Sequence, residues 1–445
     1  MILSILNSTF DFGTKVNCSF KRLSMIYTMH RIYSILGFLL ILLLWGCSTS
    51  EEFSGYSYDP EGVTETSDKE TNPHYTRVIG VDDGKIWVSN DFPGARMNDF
   101  YQVNDSLYRV TIKPERDAIN NSPWYAFQIW SVEPDTIKLQ LDYEHGNHRY
   151  IPKLSQNSRH WQRIDSTNYA ADTTRGTATL TLNLEQKPLW VSAQELFTWD
   201  EYNSWIDSLA EKSFVSRDTV GFSHNNRPIL KLHISEANPY QQRGIMIITG
   251  RLHPPEVTGA IGTKVFINEL TSNTELASQF RKNFEIWAYP FANPDGVQQG
   301  HWRYNARGVD LNRDWKHFKQ PEPQAIRNDL LALQDDSLRK VYYGIDFHST
   351  DENLFYPINR EIETFPDDFT YQWIDSLQQT FPDYPIEVEP FPPNSPITKN
   401  WIYHTFGADA VTYEISDTAS RDSMRTVTRE SARIIMRKLL REMEK

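Results

Sequence analysis

The sequence predicts an α/β protein in two parts: an N-terminal antiparallel β-sandwich, then an α/β/α domain on a mixed, mostly parallel sheet. Three observations carry this. The 445 residues exceed one ordinary core, so two domains are the natural division. Residues 75–198 form short runs of alternating apolar and polar residues separated by turn-rich sequence, the period of half-buried strands. Beyond about residue 198, continuous apolar runs alternate with stretches of helical period, as in buried strands joined by helices.

The chain opens with residues 1–46, read as a mis-started leader plus a lipoprotein signal peptide, with translation expected from Met25 or Met29. The apolar run Tyr33 to Gly46 falls short of the roughly 20 residues a spanning helix needs and has the length of a signal-peptide core. "LLWGC" resembles a bacterial lipobox, although Trp45 departs from that pattern. The resemblance implies lipidation of Cys47, membrane tethering and an outer-membrane place in a bacterial cell envelope. Cys18 and Cys47 are the only cysteines, which excludes a disulfide or a cysteine metal site in a chain starting at Cys47. Residues 47–74 are polar, acidic and aperiodic, and read as a flexible tether.

The sandwich strands are "KIWVSN", "LYRVTIK", "WYAFQIWSV", "IKLQLDY" and "ATLTLNL". The second domain, 205–445, begins with the strands "RPILKLHIS" and "RGIMIITG". Residues 255–271 place Val257, Ile261, Val265, Phe266 and Leu270 at helical spacing. Strand "NFEIWAYPF", helix 322–336, strand "KVYYGIDFHS", strand "DAVTYEIS" and a terminal helix from Ser420 complete it. Composition is that of a folded chain, 39% hydrophobic and 23% charged. A net charge of −13 argues against nonspecific nucleic-acid binding.

Polar residues collect at the predicted element ends. "GRLHPPEVTG" offers His253 and Glu256 between a strand and a helix, where the first helical turn tolerates Pro254 and Pro255. His348 ends another strand, and Glu414 ends the apolar "AVTYE", where burial favours the neutral acid unless a cation is near. Residues 293–315 carry Arg303, Arg307 and Arg313 among turn residues; an arginine fork clamps carboxylates bidentately. Taken singly, each feature also suits a structural histidine, a salt bridge or a surface loop. Hydrolytic zinc sites take three His or carboxylate ligands and keep one position open.

In order, HPPE, NPDG, W-R-Y-N, GVDLNRDW, DFHS and T-Y-E-I resemble the M14 family of zinc carboxypeptidases, most closely its cytosolic-carboxypeptidase branch. "SPWYAFQIW" and "YIPKLSQNSRHWQRI" resemble that branch's N-terminal domain. The resemblance implies one zinc ion held by His253, Glu256 and His348, with Asp310 bonding the far nitrogen of His253. It implies Arg303 on the oxyanion, Asn312 and Arg313 on the substrate's terminal carboxylate, and an ionised Glu414 as general base. Gapless matching through Trp401, Tyr403, Thr412 and Glu414 places Lys399 at the specificity-pocket floor, implying choice of an acidic C-terminal side chain; the alternative is a solvated surface lysine. Two departures stand out. Pro392 occupies the place of the mobile tyrosine of digestive carboxypeptidases, so that the phenol either comes from elsewhere, with Tyr384 a candidate, or is missing, and Pro255 replaces a subsite arginine.

The expected function is therefore a peptide-cleaving metallocarboxypeptidase. A cell-wall peptide amidase of the same family is the alternative within enzymes. N-deacylation is disfavoured by NPDG and W-R-Y-N, and a metal-free peptide-binding surface lipoprotein is the non-enzyme alternative. The sequence leaves oligomeric state open.

Overall fold

The structure is a computed structural model that describes residues 65–445 except Ala118 and Pro392. Cys47, the leader, the tether up to residue 64 and the Pro392 position lie outside the described residues. No helix among those described is long and apolar enough to cross a membrane.

The first part has eleven strands: β1 (Val78–Val81), β2 (Ile86–Ser89), β3 (Asp99–Asn104), β4 (Leu107–Ile112), β5 (Ala126–Ser131), β6 (Asp135–Tyr143), β7 (Lys153–Ser155), β8 (Gln162–Arg163), β9 (Tyr169–Asp172), β10 (Thr177–Leu184) and β11 (Leu189–Ser192). They form a six-stranded sheet, β1-β2-β5-β11-β7-β8, and a five-stranded one, β3-β4-β6-β10-β9. Period-two alternation buries Leu180, Leu182 and Leu184 of β10 against Ile129, Leu139 and Val191. One pair departs from the expected antiparallel pattern: β4 and β6 run parallel.

The second part opens with α1 (Trp199–Ala210), whose Thr198 and Glu201 make a capping box. Its sheet adds β12 (Val215–Phe222), β13 (Pro228–Ile234), β14 (Arg243–Gly250), β15 (Phe284–Tyr289), β16 (Arg339–His348), β17 (Leu354–Pro357), β18 (Glu387–Val388) and β19 (Asp409–Glu414). The order is β12-β13-β15-β14-β16-β19-β17-β18. β14 runs parallel to both β15 and β16, and β16 parallel to β19.

Every residue of β14 is buried, and alternation sends its side chains to two different cores. Met246 and Ile248 join Phe266, Trp373 and Ile435 on one face; Ile245 and Ile247 join Trp287, Ile326 and Ile402 on the other. The covering helices are α2 (Val257–Leu270), α3 (Glu275–Asn283), α5 (Pro321–Leu331), α6 (Phe369–Thr380), α7 (Thr398–Phe406) and α8 (Arg421–Met443), with the short α4 (Pro294–Gln298) in a loop. α5 ends five residues before the expected limit, in a turn-rich stretch.

The sandwich core does not stop at the domain boundary. Val257 of α2 and Trp302 are buried in it. Residues 65–74, expected in the tether, are also held. Thr66 is fully buried and its hydroxyl donates to Asp314 at 2.5 Å, while the Lys69 N–H donates to the Arg307 carbonyl at 2.9 Å.

Candidate metal centre and active site

Three adjacent parallel strands end side by side, and each contributes one group. Gly250 closes β14. Arg251 then takes a left-handed conformation (φ 55°), turning the chain so that His253 comes back over the sheet edge. Pro254 and Pro255 lie in the turn before the helix, not in its first turn as expected; Glu256 is the N-cap and α2 starts at Val257. Neither proline has an N–H that the turn would have to satisfy. His348 is the last residue of β16, and Glu414, the last of β19, is its register partner.

Glycine makes the approach possible. A Cβ on Gly259 would lie 2.4 Å from the His348 carbonyl oxygen, and the Gly259 N–H donates to Ser349 Oγ at 2.6 Å. The N-terminus of α2 is therefore pressed against the end of β16.

The Glu256 carboxylate makes no helix cap. It lies between the two imidazoles, with Oε1 2.7 Å from His253 Nδ1 and Oε2 2.7 Å from His348 Nδ1. One donor atom from each residue lies within 4.8 Å of the others. The far nitrogens face carboxylates: His253 Nε2 meets Asp310 at 3.0 Å, as expected, and His348 Nε2 meets Asp346 at 2.8 Å. Asp346 is itself bonded by the Thr249 hydroxyl at 2.7 Å. Such carboxylate–histidine pairs fix the ring and direct the other nitrogen at a metal, so this donor set fits a zinc ion.

The charges interlock. Burial works against the ionised form of Glu256, but His253 and His348 hold its carboxyl far below the usual range. Burial likewise opposes ionised Asp310, which Arg303 and His253 hold well down; the Arg303 Nε donates to Asp310 at 2.7 Å. His348 is buried, which favours the neutral ring, yet Asp346 and Glu256 raise it well above its ordinary value. Glu414 is the expected general base, kept ionised beside zinc and cations, and its own neighbours show what that charge has to oppose. The protein's own groups leave it pushed up to about 8, through burial and through Glu256 and Asp346, with His348 and Arg303 opposing. Its buried Oε2 makes no hydrogen bond among the described residues.

His253, Glu256, His348 and Glu414 line one cleft of about 200 Å³, which Arg303, Asn312 and Arg313 also reach. The Asn312 side-chain oxygen accepts from the Thr398 N–H and hydroxyl (3.0 and 3.1 Å), and its amide nitrogen lies 3.3 Å from His348 Nε2. Lys399 does not line the cleft, although Ile397 and Thr412 do. It is fully buried, neither a surface lysine nor an exposed floor residue. Its Nζ donates to the Asn400 and Pro357 carbonyls (2.9 and 3.3 Å), and burial lowers it to about 7. Tyr384 does not supply the phenol either: its hydroxyl donates to Asn353 at 2.8 Å. The phenol in the cleft is Tyr356, raised to about 12 by burial and by the Glu414 and Glu389 charges.

Sequence reasoning also missed the sandwich's share. Asn120, Ser122 and Arg149 form one wall. Arg149 Nη2 donates to Asp417, three residues after Glu414, at 2.6 Å, and its Nε lies 3.0 Å from Asp351. No local pattern marks a partner 268 residues away. Asp346 did carry a signal, since two residues before His348 on a strand means the same face.

The family model described as zinc carboxypeptidase matches residues 202–430. Cytosolic carboxypeptidase 6 of mouse is 23% identical over 291 residues, 60% of this chain and 53% of that protein; this chain therefore matches about half the length of that relative. Cytosolic carboxypeptidase 6 of Caenorhabditis elegans is 26% identical over 338 residues, 69% and 73% of the two chains. Among solved structures, a metallo-carboxypeptidase from Burkholderia cenocepacia superposes with a TM-score of 0.67 at 15% identity, covering 80% of this chain and 99% of that one. One from Pseudomonas aeruginosa, in complex with (2-guanidinoethylmercapto)succinic acid, gives 0.66 at 17%, with the same coverage. At these identities the superpositions establish the fold.

Proposed function

Because this chain belongs to the zinc carboxypeptidase family M14, we propose that it is a zinc-dependent metallocarboxypeptidase that removes the C-terminal residue of peptides. The observation that carries the reading is the meeting of His253, Glu256 and His348 with Glu414, Arg303 and Arg313 in one cleft.

His253, Glu256 and His348 would hold one zinc ion per chain, which would supply Lewis acidity to the scissile carbonyl and lower the pKa of water. Asp310 and Asp346 keep the two imidazoles in the tautomer that presents Nδ1. Glu414 takes the proton from the attacking water and returns it to the departing amine, which its unbonded Oε2 leaves it free to do. Arg303, oriented by Asp310, stabilises the oxyanion. Arg313 and the Asn312 amide receive the terminal carboxylate. Lys399, whose amine meets only neutral oxygens at hydrogen-bond distance among the described residues, favours an acidic terminal side chain from behind the wall of Ile397 and Thr412. The LLWGC string supports a lipid tether at Cys47 on the outer membrane of a bacterial envelope, with the cleft facing peptide substrates.

A peptide-library digest read by mass spectrometry tests this. Single C-terminal residues are expected to leave, Glu faster than Leu or Lys, with the Glu preference lost in Lys399→Ala. Glu414→Gln is expected to lower kcat by about 10²- to 10⁴-fold with zinc retained. Internal cleavage would overturn the roles of Asn312 and Arg313. Release from cell-wall peptides alone would favour the amidase, and failure to retain zinc after metal refilling, with no turnover, the metal-free binding-protein reading.

A further inference from the structure

We propose that Glu115, in the sandwich, is a positioning residue for Arg303: its carboxylate accepts the N–H groups of Trp302, Arg303 and Tyr304 and so sets where the guanidinium enters the cleft. The three distances are 2.7, 3.0 and 2.9 Å, and Glu115 is fully buried. The inference rests on the reading that Arg303 acts in peptide hydrolysis.

Three consecutive backbone donors converging on one carboxylate leave that loop little freedom. An ionised carboxylate only accepts, whereas an acid or an amide would set a donor against one of those N–H groups. Burial opposes the charge, but His301, Arg96 and the loop's N–H groups hold Glu115 below the ordinary range, so the group stays the acceptor the loop needs. The neighbours of Glu115 hold the same stretch. Arg116 stacks over the Tyr304 ring at 5.1 Å and donates to the Gly308 carbonyl at 3.0 Å, while the Tyr304 hydroxyl donates to the Asp117 carbonyl at 3.0 Å. Arg303 is thus fixed twice, its backbone by the sandwich and its side chain by Asp310. Oxyanion stabilisation depends on donors placed to a fraction of an ångström, and a misplacement of about 1 Å can lower the rate about 10²-fold.

The test compares zinc-loaded wild type with Glu115→Gln by hydrogen exchange of the segment 301–305 and by a double-mutant cycle with Arg303→Ala. In E115Q, exchange at 302–304 is expected to quicken at least about tenfold while β14 is unchanged. The rate constant kcat is expected to fall about ten- to hundredfold with KM within about threefold. In the Arg303→Ala background, E115Q is expected to change kcat by less than about twofold, because its effect passes through Arg303. Unchanged exchange at 302–304 would overturn the inference, as would an equal loss of kcat in both backgrounds. The exchange result does not depend on turnover, so it separates failure here from failure of the carboxypeptidase reading. If E115Q does not fold, Glu115→Asp, one methylene shorter with its charge kept, serves for both measurements.

Discussion

Lys399 lies behind the residues that line the cleft, and its charge state ties it to stability. Burial brings its amine to about 7, against 10.5 ordinarily. Between those values the unfolded chain binds more protons than the folded one, so this residue makes stability rise with pH across that window. The slope contributed is at most about 1.4 kcal/mol per pH unit. Lys399→Met is expected to remove it, so that urea midpoints of wild type and variant converge toward pH 10 and diverge toward pH 7, with the variant the more stable at pH 7. A constant gap across that range would show that the amine is not neutralised by burial. Lys399 was legible as an aligned position, but its burial was not, because the oxygens that receive it belong partly to Pro357, 42 residues away.

Helix α2 shows how one element serves both cores and the metal centre. The spacing of Val257, Ile261, Phe266 and Leu270 was readable as helical, but not that its faces serve different partners. Val257 packs into the sandwich, Phe266, Ile267 and Leu270 face the sheet, and the partly buried Ile261 packs against both cores. Gly259 sits where the helix meets β16. Gly259→Ala is expected to push the helix end from His348, costing about 1–3 kcal/mol of stability by overpacking and weakening zinc about tenfold or more as Glu256 moves from the two rings. Thermal melting and competitive zinc titration measure the two effects. Unaltered zinc affinity would mean that the ligands move together with the helix.

The whole molecule joins its two parts through the site. The pairs Arg149–Asp417 and Arg421–Glu195 cross to the segment that follows Glu414, Lys153 of the sandwich holds Glu195 in place, and Arg163 donates to the Thr418 carbonyl at 2.6 Å. Trp302 fills the sandwich so closely that a Cβ on Gly146 would lie 2.6 Å from its ring. A fragment starting at Thr198 is therefore expected to expose Val257 and Trp302, aggregate on gel filtration, and lose at least about tenfold in kcat/KM where it stays soluble. A fully active monomeric fragment would show that the sandwich does not support the catalytic groups.

The sequence by itself determined the fold class of each part and the strand ends that carry chemistry, which are written in short-range periods and compact motifs; its resemblance to the M14 family implied the His253–Glu256–His348 set and the pairing of Asp310 with His253. Only the tertiary structure decided that Glu115 and Arg149 reach across from the sandwich, that Tyr356 rather than Tyr384 faces the cleft, and that burial and the neighbouring carboxylates raise Glu414 against His348 and Arg303. Each of these depends on which groups the folded chain brings within a few ångströms. Glu115 and Arg303 are 188 residues apart. No local pattern encodes such a contact, and the electrostatics follow from the burial that the contact creates.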